Sequence, residues 1–281
     1  MGTSLELVQW IHGAPDCSKS TDPPLQVQAF DDDTFILRQS KCFSFEGPFM
    51  YLFFGDQRAM LLDTGARADN GGLTHPLPLR TTIDALIAER AAKQHRPPVD
   101  LLVTHTHSHG DHVSWHSQFA GRPGTTVVQP SLSGVKSFFG LPNWPEGQAT
   151  LDLGGREFVV LPAPGHETSH IVLYDRRTEI LLTGDTLYPG LLTVRDWSAY
   201  LHTTRRLKQF VDQHSVSLVL GAHVEMEKTA RRLYPIGTTF QPDEHPLPLT
   251  VAHLDEWHAA CEAMASHPHQ DVHDEFIIGP L

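Results

Sequence analysis

The sequence predicts a layered α/β fold from three observations. Short apolar runs alternate with stretches in which apolar residues recur every three to four positions, the periods of strand and helix in turn. Proline and glycine, 21 of each in 281 residues, cut the chain into short elements. Four apolar runs are each followed at once by His or Asp, and in α/β sheets that is where side chains gather beyond the strand ends. No internal repeat or low-complexity linker divides the chain, so residues 1–281 are expected to form one domain, with 235–281 as a lid or dimer-contact extension.

Taken in order, residues 26–65 read as strands: Phe35-Ile36-Leu37 first, then 49–54, a Gly55-Asp56 turn, and Met60-Leu61-Leu62 ending in Asp63-Thr64-Gly65. A helix follows, with Ile83, Leu86, Ile87 and Arg90/Ala91 on one stripe, Thr81 or Thr82 capping its start and Pro97-Pro98 ending it. Leu101-Leu102-Val103 then leads into THTHSHGDH, Phe158-Val159-Val160-Leu161 into PAPGHETSH, Ile180-Leu181-Leu182 into TGDTLY, and Leu218-Val219-Leu220 into GAHVE. A second helix follows Asp196, with Tyr200, Thr204, Leu207 and Val211 on one stripe, and a third covers about residues 253–264.

Composition excludes several classes. The longest unbroken apolar runs are four to six residues, far short of the ~20 that span a bilayer, so no membrane span is expected. The N-terminus, MGTSLELVQW, has neither a basic n-region nor an apolar h-region, and a cytoplasmic protein is the expectation. With 33 acidic and 21 basic residues the formal charge is −12, and no Lys/Arg cluster marks a nucleic-acid footprint. Cys17, Cys42 and Cys261 are too few and too scattered for a disulfide framework and read as ordinary thiols. Histidine is the anomaly: 19 of them against 21 Lys plus Arg point to metal.

His107-Ser108-His109-Gly110-Asp111-His112 is an H-x-H-x-D-H array with about 0.01 expected chance occurrences in a chain of this composition. In an extended segment His107 and His109 face one side, and a turn at Gly110 swings Asp111 and His112 toward a second position. Imidazole and carboxylate together suit zinc, and also iron or manganese. His105 repeats the spacing with His107, but only the His107 register places Asp-His correctly. His116, His170, His202, His245, His267, His269 and His273 are expected at the surface or in structural hydrogen bonds.

With this array the chain resembles the metallo-β-lactamase superfamily over residues 35–223, through Leu62-Asp63-Thr64-Gly65, the Thr106 to His112 segment, Pro164-Gly165-His166, Gly184-Asp185-Thr186 and Gly221-Ala222-His223. The resemblance implies a four-layer αββα sandwich with a dinuclear metal site at one edge. It implies that His107, His109 and His166 hold the first ion, that Asp111, His112 and His223 hold the second, that Asp185 bridges them, and that Asp63 supports the histidine loop without being a ligand. Ser114-Trp115-His116 departs from the small residues common after the array, so the next helix is expected to pack differently. Asp185 stands where one group of true β-lactamases has Cys, and His109 where flavodiiron reductases carry Glu, which favours hydrolysis over redox chemistry. The basic arm of the tRNA 3′-processing nucleases has no counterpart. Tyr188 sits where N-acyl-homoserine lactonases place a tyrosine facing the substrate carbonyl; a core tyrosine is the other reading.

The expected function is hydrolysis of a small carbonyl substrate, a lactone, ester, thioester or amide. The nucleophile would be a hydroxide held by two divalent ions, with Asp111 or Asp185 moving the proton and Tyr188 donating to the oxyanion. Phosphodiester hydrolysis at the same site and iron-dependent chemistry of the sulfur dioxygenase type are the alternatives. A small-molecule partner, no nucleic acid or membrane, and a homodimer complete the expectations.

Overall fold

The computed structural model describes residues 4–69 and 76–281. Its first sheet has six strands in chain order: β1 (Leu25–Asp31), β2 (Thr34–Gln39), β3 (Phe49–Phe54), β4 (Arg58–Leu62), β5 (Asp100–Thr104) and β6 (Thr125–Val127). The pairing is antiparallel up to β4 and parallel from β4 to β6. The second sheet draws on β7 (Ala149–Asp152), β8 (Glu157–Pro162), β9 (Ile171–Asp175), β10 (Ile180–Gly184), β12 (Leu218–Gly221) and β13 (Pro248–Leu249), arranged β13-β12-β10-β9-β8-β7. A small third sheet joins β11 (Leu191–Val194), β15 (Ile277–Pro280) and β14 (Asp271–Val272).

Strand β3 shows why the layers stack. Its side chains alternate: Phe49, Tyr51 and Phe53 join Phe158, Val160, Leu173, Leu182 and Leu220 of the second sheet, while Met50, Leu52 and Phe54 point the other way. There they meet Leu79, Ile83 and Ile87 of α1 (Leu79–Gln94). A strand covered on both faces reads as an unbroken apolar run, which is what FMYLFF is. On the far side, Val159, Leu161, Leu181 and Val219 pack against Tyr200, Leu207 and Val211 of α4 (Trp197–Val211) and Leu254 and Trp257 of α5 (Val251–Ala263). The order is helix, sheet, sheet, helix: an αββα sandwich.

Several details differ from the sequence reading. Thr81 and Thr82 do not cap α1; the helix starts at Leu79 and both hydroxyls donate back to the Pro78 carbonyl. Its stop is His95, in the left-handed region at φ 53°, ahead of the two prolines. Asp196 caps α4 by accepting from Ala199 N. Gly110 makes no left-handed turn but opens α2 (Gly110–Val113), so Asp111 and His112 occupy one helical turn. Trp115 lies under Phe43 and donates to the Ala66 carbonyl at 2.7 Å. Helix α3 (Leu132–Phe139) has no counterpart in the reading above.

Much of residues 235–281 is woven into the domain. Trp257 is fully buried and donates to the Tyr200 hydroxyl at 3.0 Å, and β15 pairs in parallel with β11. Among the described residues no helix is long and apolar enough to cross a membrane.

The cysteines require a correction. Cys17 and Cys42 are joined as a disulfide, with Cα atoms 5.1 Å apart, and Cys261 is free and buried. Scatter along the sequence was a poor guide, because the β1–β2 hairpin between the two cysteines brings distant positions together. Under denaturing, non-reducing conditions a thiol reagent should therefore titrate one group per chain, rising to three after reduction. Three thiols without reduction would contradict the bridge.

Candidate metal centre and its cavity

Five of the seven expected ligands stand where a strand runs out, His107 and His109 past β5, His166 past β8, Asp185 past β10 and His223 past β12, and Asp111 and His112 follow on α2. Gly184 lets the chain turn sharply before Asp185 at φ 52°, and a Cβ would lie 2.8 Å from both His170 Nε2 and Thr106 Cβ. Asp185 N also donates to His170 Nε2 at 3.2 Å.

The hydrogen bonds behind the imidazoles decide which nitrogen faces the centre. His166 Nδ1 donates to the Thr193 carbonyl at 2.8 Å, and His223 Nδ1 donates to the Glu46 carbonyl at 3.2 Å. A carbonyl can only accept, so each Nδ1 carries a proton and Nε2 is the nitrogen that faces the interior. His112 Nδ1 donates to Asp63 Oδ2 at 3.0 Å. Asp63 also accepts from Thr106 N at 2.7 Å and from the Thr106 hydroxyl at 2.9 Å. That hydroxyl, its proton spent, accepts from His107 Nδ1 at 3.1 Å.

The inward atoms form two groups. His107, His109, His166 and Asp185 make one, and Asp111, His112, Asp185 and His223 the other, each with its ligand atoms within 4.8 Å of one another. Asp185 belongs to both. Its Oδ2 lies 3.7 Å from His107 Nε2, 3.5 Å from His166 Nε2 and 3.3 Å from His112 Nε2, and its Oδ1 lies 3.5 Å from His223 Nε2. His109 Nδ1 is 2.9 Å from His107 Nε2 and 3.0 Å from His166 Nε2. With His107 Nδ1 and His166 Nδ1 already donating outward, both Nε2 atoms face His109 Nδ1, which can donate one proton to one of them at a time. A shared cation is the partner such a donor set calls for, and imidazole with carboxylate is the set that holds divalent transition metals, so the residues fit.

Charge follows the same logic. Burial and the surrounding imidazoles hold His107 well below the ordinary histidine range. Burial would also lower His112 and His223, but carboxylates outweigh it: Asp111, Asp185 and Asp63 raise His112 well above its usual value, and Asp185 and Asp111 lift His223 to about 9. Asp185 is pushed low despite burial, by His112 and His223.

Other histidines sort differently. His105 is buried against His116, ring centroids 5.5 Å apart, and belongs to neither group. His170, expected at the surface or in structural hydrogen bonds, takes the second course: it is fully buried, accepts from Asp185 N and stacks on His107 at 4.9 Å.

Tyr188 is buried, 5.6 Å from the His223 ring, and its hydroxyl donates to the Leu191 carbonyl at 2.8 Å, with Glu225 Oε2 a second acceptor at 3.2 Å. Beside the cluster opens a cavity of about 260 Å³ whose wall includes Tyr188, Phe45, Leu191, Tyr234 and Ile236. The sequence reading passed over Lys41, Glu46 and Glu225, which also line it. Lys41 and Glu46 lie in no motif and sit on the loop before β3, while Glu225 closes the GAHVE segment two residues past its histidine.

The family model described as the Metallo-beta-lactamase superfamily matches residues 45–223. The chain belongs to this superfamily. It is 30% identical over 231 residues to an acyl-coenzyme A thioesterase MBLAC2 of Gallus gallus, covering 68% of this chain and 77% of that one. A hydroxyacylglutathione hydrolase of Ectopseudomonas mendocina is 30% identical over 99 residues, 32% of this chain and 34% of its own. The crystal structure of the DIM-1 metallo-beta-lactamase exposed to ceftazidime superposes with a TM-score of 0.53 at 14% identity, covering 87% of this chain and 99% of that chain, a likeness of fold. The chain is thus an enzyme of the superfamily's hydrolase branch, with His/Asp clusters able to hold metal.

The raised histidines carry a consequence for metal uptake. At pH 7.5, below the folded pKa of about 9, His223 holds a proton, as does His112, and a metal must displace both. Titrating zinc into metal-free protein in buffers of different ionisation enthalpy should show about two protons released per chain at pH 7.5 and fewer above pH 9. Uptake without proton release at pH 7.5 would sink this account.

Proposed function

We propose that this chain is a metal-dependent hydrolase of small acyl compounds, thioesters and esters foremost, working with two divalent ions, zinc first by donor chemistry. The observation that carries the reading is the position of Asp185, one carboxylate facing two ligand groups beside a cavity. The names of the relatives, an acyl-coenzyme A thioesterase and hydroxyacylglutathione hydrolases, support an acyl substrate. A cavity of about 260 Å³ suits a small molecule.

His107, His109 and His166 would hold one ion, and Asp111, His112 and His223 the other, with Asp185 between. When bound, such a pair supplies a water of lowered pKa and a Lewis acid for the carbonyl oxygen. The chain's own part is positional. Thr193, Glu46 and Asp63 fix three of the imidazoles from behind. Asp111, whose side chain is 21% exposed, reaches the cavity and is placed to take the proton at Oδ2 and return it to the leaving group. Asp185, 7% exposed, is the more enclosed of the two. Phe45, Leu191 and Ile236 keep part of the wall apolar and limit water beside the reacting carbonyl.

Tyr188 now argues for open-chain esters and thioesters over lactones. Its single proton is directed to Leu191, and donation to an oxyanion would require that bond to break.

Two variants test the reading. Asp185→Ala should lower kcat/KM for a thioester by roughly 100-fold or more and reduce the metal content from two ions per chain, with native circular dichroism; full activity would end the dinuclear proposal. Tyr188→Phe should change kcat by less than about 10-fold, whereas a loss of roughly 100-fold or more would return the hydroxyl to the oxyanion and restore the lactone reading.

A further inference from the structure

The charged side chains that line the cavity, apart from the metal ligands, are Lys41, Glu46 and Glu225. Lys41 is buried; its ammonium donates to the Phe45 carbonyl at 3.2 Å and faces Glu244 at 3.8 Å, so its charge is met within the wall. Glu225 Oε2 is held by Leu191 N at 2.8 Å and the Tyr188 hydroxyl. Glu46 differs. Its main-chain oxygen serves His223, while no hydrogen bond or ion pair engages its carboxylate among the described residues. A neighbouring trough shares Glu46 and Asp111, and its other charges, Arg67 and Asp69, are one of each sign. Asp185, with no hydrogen-bond partner at Oδ1, opens on the same cavity and sets the ligand cluster at one end of it. Phe45 and Tyr234 contribute aromatic rings to the wall, the surface against which ammonium groups rest.

Resting on the hydrolase reading above, we propose that the cavity selects esters and thioesters carrying an ammonium or quaternary ammonium group near the scissile carbonyl. Glu46 is its counter-charge, Phe45 and Tyr234 are its walls, and polyanionic thiol carriers are disfavoured. The ligand cluster holds the carbonyl end and the carboxylate the cationic end. The preference departs from the coenzyme A thioesters named for the relatives, because phosphate groups entering this cavity meet Glu46 and Glu225 with Lys41 already engaged.

One acyl group presented on three thiols tests this with the metal-loaded enzyme: thiocholine (cationic), N-acetylcysteamine (neutral) and coenzyme A (polyanionic), with released thiol measured. Thiocholine should be favoured over coenzyme A by roughly 10-fold or more in kcat/KM, mainly through KM and less so at high salt. Glu46→Gln should shrink that ratio and Glu46→Lys should reverse it. Binding is read separately by calorimetry with the 2-(trimethylammonio)ethyl amide and the 3,3-dimethylbutyl amide of the same acid, which differ in charge but hardly in shape. Tighter binding of the cationic amide, lost in Glu46→Gln, supports the inference even if no thioester is cleaved, an outcome that would overturn only the hydrolase reading. Equal binding of the two amides, or a preference for coenzyme A that Glu46→Gln leaves unchanged, overturns the inference itself.

Discussion

Two imidazole nitrogens, His107 Nε2 and His166 Nε2, held 2.9 and 3.0 Å from a third, His109 Nδ1, which can offer one proton at most, are the constraint on which this site depends. One proton cannot serve both neighbours at once, whereas a positive ion at the centre satisfies all three lone pairs. In the second group protons on His112 and His223 fill the need, drawn there by Asp111 and Asp185. Proton and metal are thus alternative occupants of one electrostatic position. The surrounding structure holds the nitrogens in place whichever is present.

That hold comes from Asp63. It sits just past β4 in the left-handed region, φ 68°, fully buried, and ties the end of one strand to the loop after the next through Thr106 and His112. An aspartate tolerates this backbone better than most side chains, and its carboxylate answers three donors at once. The second sheet contributes in the same manner: Thr193 on β11 orients His166, and β11 is itself fastened by β15 near the C-terminus. Strand β15 therefore reaches the ligand cluster through strand pairing.

Legibility in the sequence followed the range of the interaction. Strands with both faces covered announce themselves as apolar runs, so β3, β5, β8, β10 and β12 could be read directly, and the histidine array stood out because its residues are contiguous. His170 was within sight, four residues after His166, but its burial depends on the neighbouring sheet layers, which no local pattern encodes. Glu46 and Glu225 reach one cavity from positions 179 residues apart. The Cys17–Cys42 bridge is likewise a product of the β1–β2 hairpin. Tyr188 shows the converse limit: the sequence placed the residue beside the site, while the direction of its proton depends on Leu191 and Glu225.

The cavity is framed by ion pairs rather than by loose loops. Arg38, wholly buried, makes a bidentate contact with Glu244 at 2.7 and 3.2 Å and lies 4.3 Å from the Phe49 ring. Lys41 meets the same carboxylate from the loop that carries Glu46, and burial, followed by the repulsion of Arg38, lowers its pKa to about 8. One glutamate thereby joins the end of β2, the 40–47 loop and the segment that follows Tyr234, and Tyr234 itself accepts from Asp243 N at 2.9 Å. Removing a single member would strand a buried charge, a cost of several kcal/mol, so the three walls stand or shift together. A frame of that kind leaves little room for reshaping around a ligand. Discrimination among substrates then falls to the groups already facing inward, and of those Glu46 alone has its charge unmet by any hydrogen bond or ion pair among the described residues.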